Sequence, residues 1–251
     1  MIIGINGKIG AGKDTVGTII QGLLLTNKNQ SSEIKKFAGK LKQIASILTG
    51  IPVENFEDQE FKTTLLDVEW GTVQDVPLNS IPPFADIQFN VMMSVREFLQ
   101  RLGTEAMRDG LHTNVWVNAL MADYKGTFNV TKYWLAESHK DNVIDYPNWI
   151  ITDMRFPNEM EAVVKKGGIT IRVVRYPKTV EVSRSLQDIE TIPFDPTNHK
   201  HMSLWKGDIS RLHASETALD DADFDYEIIN DGTMEELVKK VRDILVLEEL
   251  I

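Results

Sequence analysis

The sequence predicts an α/β fold in which helices cover a mostly parallel sheet. An apolar run at residues 1–5 leads through a glycine-rich loop into a segment of helical periodicity, which is the order of a βα unit. Apolar runs at 149–152 and 169–174 are again separated by a helical pattern. Short apolar strands that alternate with helices are typical of one domain built around a parallel sheet.

The composition is that of an ordinary globular protein, and it excludes several functions. Of 251 residues, 42% are hydrophobic and 25% are charged, which excludes fibrous and disordered classes. Acidic residues outnumber basic ones by 37 to 27, and the net charge of -10 disfavours binding to a nucleic-acid polymer. The absence of cysteine excludes disulfides, thiolate zinc sites and cysteine nucleophiles.

The sequence gives no sign of a targeting or membrane segment. Residues 1–5 lack the basic side chains that open a signal peptide, and the apolar stretch around residues 23–25 is too short to span a bilayer. We therefore expect a cytoplasmic protein without a membrane partner.

After the glycine-rich loop, the chain predicts one more strand and one more helix before its texture changes. The strand covers residues 34–37, and the helix runs from about residue 40 to 48 and ends at Gly50. Residues 53–92 differ, because they contain several prolines and acids and show no sustained period. We interpret them as a loop-rich insertion and not as a separate domain.

The rest of the chain is regular except for residues 126–148 and a polar, basic stretch at 175–212. Helices are predicted at residues 95–102, 114–124 and 157–166, and strands at residues 149–152, 169–174 and 226–229. A final helix follows Thr233 and Glu236, which have the spacing of a capping box.

Residues 7–15 have the spacing of a phosphate-binding loop, the Walker A motif. Its glycines let consecutive backbone N–H groups turn towards phosphate oxygens, and the following helix adds the positive end of its dipole. Lys13 supplies a mobile cation for the terminal phosphates of a nucleotide. The predicted phosphate-binding residues are Gly7, Gly10, Ala11, Gly12, Lys13, Asp14 and Thr15.

This loop predicts the three-layer α/β/α fold of P-loop NTPases, with a bound nucleotide and its usual companion, magnesium. The loop departs from the strict motif at Asp14, where a serine or threonine is usual, and Thr15 provides a hydroxyl one residue late. We expect Thr15 or Asp14 to hold the metal, directly or through water.

The predicted strand at 149–152 leads to a second candidate, Asp153-Met154-Arg155. An acid at the carboxyl end of such a strand lies in the ligand crevice of an open α/β sheet, where it serves a metal or an acceptor. A surface salt bridge explains Asp153 equally well. Arg155 is placed to reach a transferring phosphoryl group. The chain lacks the guanine motif of GTPases and the Asp-Glu pair of motor ATPases, which disfavours both classes.

Motifs spread in order over nearly the whole chain resemble those of the phage deoxynucleoside monophosphate kinases, in the P-loop nucleoside monophosphate kinase superfamily. The matching segments are Gly10-Ala11-Gly12-Lys13-Asp14-Thr15, Ala38-Gly39 with Leu41-Lys42, Val95-Arg96 through Leu99-Gln100-x-Leu102-Gly103-Thr104, Asp153-x-Arg155 with Asn158-Glu159-Met160-Glu161, Val173-Val174-Arg175, His213-x-Ser215-Glu216, and Asn230-Asp231-Gly232 with Glu235-Glu236-Leu237. Residues 53–92 and 176–212 match poorly. Several of these segments are also similar to animal phosphomevalonate kinases.

The resemblance implies an enzyme that transfers the γ-phosphate of ATP to a deoxynucleoside monophosphate (dNMP) with Mg²⁺, giving the diphosphate (dNDP) and ADP. It implies one kinase domain over residues 1–251, with 53–92 as the acceptor-side, NMP-binding insertion and 175–212 as a lid. The partners would be single nucleotides and not nucleic-acid polymers, in the host cytoplasm if the enzyme is phage-encoded. Homodimer formation and the accepted bases stay open. The alternatives are a kinase of another small phosphorylated acceptor, such as phosphomevalonate, and a non-catalytic NTP-binding protein.

The resemblance also implies roles for individual residues. The catalytic set is Lys13 on the donor phosphates, Arg155 between donor and acceptor phosphates, Asp153, and Arg175 from the lid. The acceptor-binding candidates are Lys42, Arg96, Arg101, Arg108 and Glu159, and a solvated helix face explains Arg101 and Arg108 equally well. The loop Asn230-Asp231-Gly232 would border the donor base. We interpret His199 and His201 as lid-surface histidines and not as a metal site.

Overall fold

The computed structural model describes residues 1–74, 89–130, 144–176 and 217–251. These residues divide into two compact units. The sheet unit comprises Met1–Lys36 and Ala122–Ile251, and the inserted unit comprises Phe37–Met121. The inserted unit is therefore larger than the insertion expected at residues 53–92, and the single kinase domain over residues 1–251 stays a prediction.

The bounds of the regular elements follow, in chain order. The strands are β1 (Ile2–Asn6), β2 (Glu33–Lys35), β3 (Thr72–Gln74), β4 (Phe89–Val91), β5 (Thr127–Phe128), β6 (Ile144–Asp145), β7 (Trp149–Ile151), β8 (Ile169–Val174) and β9 (Tyr226–Ile229). The α-helices are α1 (Lys13–Lys28), α2 (Ala38–Thr49), α3 (Val95–Gln100), α4 (Val115–Met121), α5 (Pro157–Lys165) and α6 (Met234–Leu247). Within the described ranges, no helix is long and apolar enough to cross a membrane.

The sheet unit is built on a five-stranded sheet in the order β2-β7-β1-β8-β9. Every neighbouring pair in this sheet is parallel, so the α/β fold with a mostly parallel sheet is confirmed. Alternate residues of β1 face opposite sides of the sheet. Ile3 and Ile5 belong to the core cluster that α1 and α6 cover, whereas Gly4 lies against Val163 of α5. The sheet therefore lies between two helical layers.

Helix α6 begins with the capping box that the sequence predicts. The Thr233 hydroxyl accepts a hydrogen bond from the Glu236 N–H at 3.3 Å, and the Glu236 carboxylate accepts one from the Thr233 N–H at 2.8 Å. Two N–H groups that have no partner within the helix are thereby satisfied.

The inserted unit has little regular structure before α3. After α2, which ends at Gly50 as predicted, three short 3₁₀ helices span Val53–Glu57, Phe61–Thr63 and Val68–Trp70. Strands β3 and β4 pair in antiparallel fashion. The aromatic ring of Phe56 is fully buried in a separate core of this unit, which also contains Val95 and Phe98 of α3. The loop-rich texture of residues 53–74 agrees with the prediction.

One helix of the inserted unit differs from its predicted form. The spacing predicts an α-helix through residue 102, but α3 passes at its end into a π-helix over Arg101–Asp109. Gly103 packs so closely on Leu41 that a Cβ would lie 2.8 Å from its side chain, and the Gly103 carbonyl accepts the indole N–H of Trp116 at 2.8 Å. The spacing of apolar residues does not predict such contacts, and it does not predict the wider turns of a π-helix.

Candidate functional site

The glycine loop, residues 7–12, connects β1 to α1 at the carboxyl edge of the sheet. Gly12 caps α1 with φ at 99°, which is the left-handed region that favours glycine. The helix begins at Lys13, so its first backbone N–H groups lie beside the loop without partners inside the helix. The positive end of the helix dipole therefore lies at the loop, as an anion-binding site requires.

Close approach of other elements explains two of the glycines. A Cβ on Gly7 would lie 2.4 Å from the carbonyl oxygen of Val173 in β8. A Cβ on Gly12 would lie 2.4 Å from the amide nitrogen of Asn230, which donates a hydrogen bond to the Ala11 carbonyl at 2.8 Å. The loop is thus packed between the ends of β8 and β9, and the predicted loop residue Asn230 braces it.

Two lysines of the loop region contact each other and a distant acid. The Lys13 ammonium donates a hydrogen bond to the Lys8 carbonyl at 2.9 Å. The Lys8 ammonium forms an ion pair with Asp220. Lys13 is therefore held over the loop that a phosphate would occupy, and the contribution of Lys8 could not be inferred from the motif because any residue is allowed at that position.

Asp14 contacts the end of strand β7. Its Oδ1 atom accepts a hydrogen bond from the Thr152 hydroxyl at 2.7 Å and lies 3.7 Å from the Lys36 ammonium. Thr15, the other predicted metal ligand, is exposed beside it. Carboxylate and hydroxyl oxygens are the ligands that Mg²⁺ prefers, so this group of side chains fits the metal that the loop implies.

A protein-only metal cage is absent from the described part of the chain. No group of three or more His, Cys, Asp or Glu side chains there is arranged to hold an ion. A magnesium ion with few protein ligands is the usual arrangement when substrate phosphates and water complete its shell.

The turn between β7 and α5 presents Asp153 and Arg155 by anchoring the residues between them. Thr152 and Met154 are buried, whereas Asp153 and Arg155 are partly exposed. The Met154 carbonyl accepts a hydrogen bond from the Asn6 side chain at 2.8 Å. Asn6 immediately precedes the glycine loop. This hydrogen bond therefore fixes the turn that carries the two predicted catalytic residues next to the loop.

Glu159, a predicted acceptor-binding residue, contacts the backbone of the turn before α5. The side chain is 3% exposed, and its Oε2 atom accepts hydrogen bonds from the backbone N–H groups of Arg155 at 2.7 Å and Phe156 at 3.1 Å. Glu159 therefore stabilises the start of α5 and the turn that carries Arg155. Its acceptor-binding role stays a prediction.

A pocket of about 490 Å³ opens beside the glycine loop. One side is formed by residues 6–11, and the other by residues 172–176 at the end of β8 together with Asp220 and Asp231. Two predicted site residues, Arg175 and Asp231, therefore line one cavity with the loop. Arg172 has structural contacts: its guanidinium donates a hydrogen bond to the Leu219 carbonyl and lies 4.4 Å from the ring centroid of Phe224.

The basic candidates of the inserted unit have separate surroundings. Lys42 is only 8% exposed, and its ammonium lies 2.5 Å from the Glu57 carboxylate. Arg101 forms an ion pair with Glu97 at 2.8 Å, and Arg96 is exposed on α3. Arg101 and Arg108 both belong to the π-helix. Their acceptor-binding roles stay predictions.

Part of the predicted site lies outside the described residues. The basic stretch expected to form a lid is described only up to Tyr176, and His199, His201 and His213 fall beyond it.

Comparison with known proteins bears on these expectations. A model of the deoxynucleotide monophosphate kinase family matches residues 62–185. The deoxynucleotide monophosphate kinase of Enterobacteria phage T4 is 26% identical over 188 residues, an alignment that covers 75% of this chain and 56% of the phage protein. The resemblance to the deoxynucleotide monophosphate kinases is confirmed.

The extent of these matches adds three facts. The family match includes residues 62–92, where the sequence indicated poor similarity. The family match begins after residues 7–15, so it does not rest on the phosphate-loop motif. The alignment spans little more than half the length of the phage relative.

Proposed function

We propose that this chain is an ATP-dependent deoxynucleoside monophosphate kinase, which transfers the γ-phosphate of ATP to a dNMP to give dNDP and ADP. One observation carries the proposal: the turn bearing Asp153 and Arg155 is tied by hydrogen bonds to the loop and helix bearing Lys13. Phosphoryl transfer requires positioning and charge neutralisation more than covalent chemistry, and this arrangement supplies both.

The donor phosphates bind at the glycine loop. The N–H groups of the loop and the first turn of α1 donate to phosphate oxygens, and the helix dipole favours their negative charge. Lys13 exchanges its hydrogen bond with the Lys8 carbonyl for contacts with the terminal phosphates. The exchange leaves the ammonium with a charged acceptor in place of a neutral one, which is the stronger hydrogen bond.

Arg155 bridges the donor and acceptor phosphates. Its planar guanidinium contacts two phosphate oxygens at once, which a lysine does not do. The Glu159 carboxylate accepts a hydrogen bond from the Arg155 N–H and so fixes the backbone of Arg155. Less conformational entropy is therefore lost when the guanidinium contacts the phosphates. The transfer is in line, without a covalent intermediate.

Magnesium, when bound, would neutralise the charge that develops on the donor phosphates. Asp14 and Thr15 are the residues at the start of α1 that would hold it, directly or through water. The Asp14 carboxylate is already oriented by the Thr152 hydroxyl, so a metal does not have to order it.

The pocket beside the loop binds the rest of the donor nucleotide. Its volume suits a small ligand. Arg175 and Tyr176 offer flat side chains against which a base stacks, and Asp231 offers a hydrogen-bond acceptor for the base or the ribose. Asn230 serves the site indirectly by bracing Ala11, and Gly232 belongs to the turn before α6.

We assign acceptor recognition to the inserted unit, with Lys42 and Arg96 as the leading contacts and Arg101 and Arg108 as further ones. The Lys42 ammonium is held by the Glu57 carboxylate in a nearly buried position, which suits a cation that must meet a phosphate with little reorganisation.

An ADP-release assay with ATP, Mg²⁺ and a panel of acceptors tests this function. We expect turnover only when a dNMP is present. Turnover with phosphomevalonate and not with any dNMP would replace the proposal with a kinase of another phosphorylated acceptor. ATP binding without turnover for any acceptor would indicate a non-catalytic nucleotide-binding protein.

A further inference from the structure

The contact between Asp14 and Thr152 joins two functionally important positions. Asp14 is the second residue of α1, at the point where the phosphate loop passes into its helix. Thr152 directly follows β7, at the carboxyl edge of the sheet. Their side chains, 138 residues apart in sequence, meet in a hydrogen bond of 2.7 Å from the Thr152 hydroxyl to Asp14 Oδ1.

The orientation of the Thr152 side chain is fixed by packing. The residue is 1% exposed. Its methyl carbon packs so closely on Gly17 that a Cβ added to Gly17 would lie 2.6 Å from it. The absence of a side chain at Gly17 makes room for this methyl group. The hydroxyl is then directed at Asp14, and the Lys36 ammonium, 3.7 Å from the same carboxylate oxygen, partly balances its charge.

P-loop NTPases hold magnesium with a hydroxyl from the loop and a carboxylate from a neighbouring strand. In this chain the same two chemical groups are in contact, but the carboxylate belongs to the loop position and the hydroxyl to the strand end. We propose that the two groups have exchanged positions in this chain: the metal-binding carboxylate, Asp14, lies at the loop, and its hydroxyl partner, Thr152, lies at the end of the strand. The Asp14 carboxylate binds the magnesium of the donor nucleotide, and Thr152 is a positioning residue that orients it.

The exchange rests on the proposed donor site, and it sharpens the role of Asp153. Asp153 is the carboxylate that follows β7 and so occupies the usual strand-end position for a metal ligand. It alternates with the buried Thr152 and Met154 along the turn. With Asp14 on the metal, the proposal does not require Asp153 to bind it.

Calorimetric titration of ATP into the full chain, with Mg²⁺ or with EDTA, measures the effect of the metal without requiring turnover. The quantity compared is the ratio of the ATP Kd in EDTA to that in Mg²⁺. Asp14→Asn keeps an oxygen that accepts from Thr152 but removes the charge. We expect it to reduce this ratio by about 100-fold or more, since changes even to outer-shell partners of a metal ligand cost about 10- to 100-fold in metal affinity.

Thr152→Val and Thr152→Ser form a matched pair at the second position. Valine keeps the methyl packing on Gly17 and removes the hydroxyl, so we expect a reduction of the ratio of about 10-fold or more. Serine keeps the hydroxyl and should retain most of the ratio. Unfolding midpoints of all variants establish that the folded protein is compared.

The outcomes separate this inference from the proposed function. If the wild type does not bind ATP, the proposed function fails. If the wild type binds ATP with a strong magnesium effect that Asp14→Asn retains, the exchange is wrong and the function stands. A magnesium effect lost in Thr15→Val but kept in Asp14→Asn would assign the metal to Thr15 instead. In the double variant Asp14→Thr with Thr152→Asp, the two groups are swapped back. A ratio of ATP Kd values in this variant that is higher than in Asp14→Thr alone would support the exchange directly.

Discussion

The two units of this protein build their candidate sites in different ways. In the sheet unit, backbone geometry makes the site: a glycine loop, the start of a helix and a strand-end turn lie at one edge of a parallel sheet. In the inserted unit, the candidate groups are long side chains on α2, α3 and a π-helix, and Lys42 and Arg101 each pair with a different carboxylate.

This difference has a physical basis. Phosphates present the same chemistry in every nucleotide, so a loop of backbone N–H groups recognises them without regard to the base. Recognition of a particular acceptor depends on the shape and polarity of a pocket. We therefore expect changes in the sheet unit to affect the rate of transfer and changes in the inserted unit to affect acceptor affinity.

The largest effect is expected for Lys13→Ala. The variant removes the cation that we assign to the terminal phosphates, and we expect kcat to fall by about 10³-fold, on the scale of preorganised electrostatic groups. Steady-state kinetics measure it. Lys28→Ala, at the other end of the same helix, is the matched control and should leave kcat within twofold or so of the wild type. Near-normal turnover by Lys13→Ala would remove the glycine loop from the reaction.

Arg155→Ala should have the next largest effect. Loss of the bridging guanidinium is expected to lower kcat by roughly 10²-fold or more, since arginine contributions to phosphoryl transfer are of this order or larger. Arg155→Lys keeps the charge but not the planar fork, and we expect an intermediate rate. A rise in the dNMP KM with unchanged kcat would contradict the bridging role. Lys165→Ala, on the exposed face of α5, serves as the control.

Lys42→Met tests the inserted unit. We expect the KM for the dNMP to rise about tenfold, the cost of one lost charged contact, while the Kd for ATP stays constant. Lys40→Met, two residues earlier on α2, provides the comparison. A weaker ATP affinity in Lys42→Met would contradict the assignment of acceptor binding alone to the inserted unit.

The smallest effect is expected for Thr233→Ala. It removes the hydroxyl that caps α6, and we expect the free energy of unfolding to fall by about 1 kcal/mol. Urea unfolding measures the change. Thr26→Ala, near the end of α1 where the hydroxyl donates to the Gly22 carbonyl, should change stability by less than about 0.5 kcal/mol. Equal losses in both would mean that the capping box does not hold the last helix.

Sequence reasoning located the sheet unit well because its signals are local. The strands at residues 169–174 and 226–229 have the bounds that their apolar runs predict, and α5 begins at Pro157 as expected. The second strand lies slightly earlier than predicted, at Glu33–Lys35, because Phe37 already caps α2. Local periodicity fixes such elements even when their ends shift.

The features that were missed depend on contacts between distant residues. The π-helix contains Gly103, which packs on Leu41 and accepts a hydrogen bond from Trp116, and the apolar period of a single helix does not predict such contacts. The motif that contains Glu159 does not indicate that its carboxylate accepts hydrogen bonds from two backbone N–H groups. The partner of Asp14 is equally invisible, since Thr152 carries no motif of its own.

Direct detection of the transferred phosphate tests the central claim. ATP labelled at the γ-phosphate is incubated with the chain, Mg²⁺ and each dNMP in turn, and the products are separated by chromatography. We predict label in a dNDP for at least one dNMP, and roughly 10³-fold slower labelling with the Lys13→Ala variant. Label that appears only as inorganic phosphate, or equally with wild type and Lys13→Ala, would contradict the assignment of this chain as a nucleotide kinase.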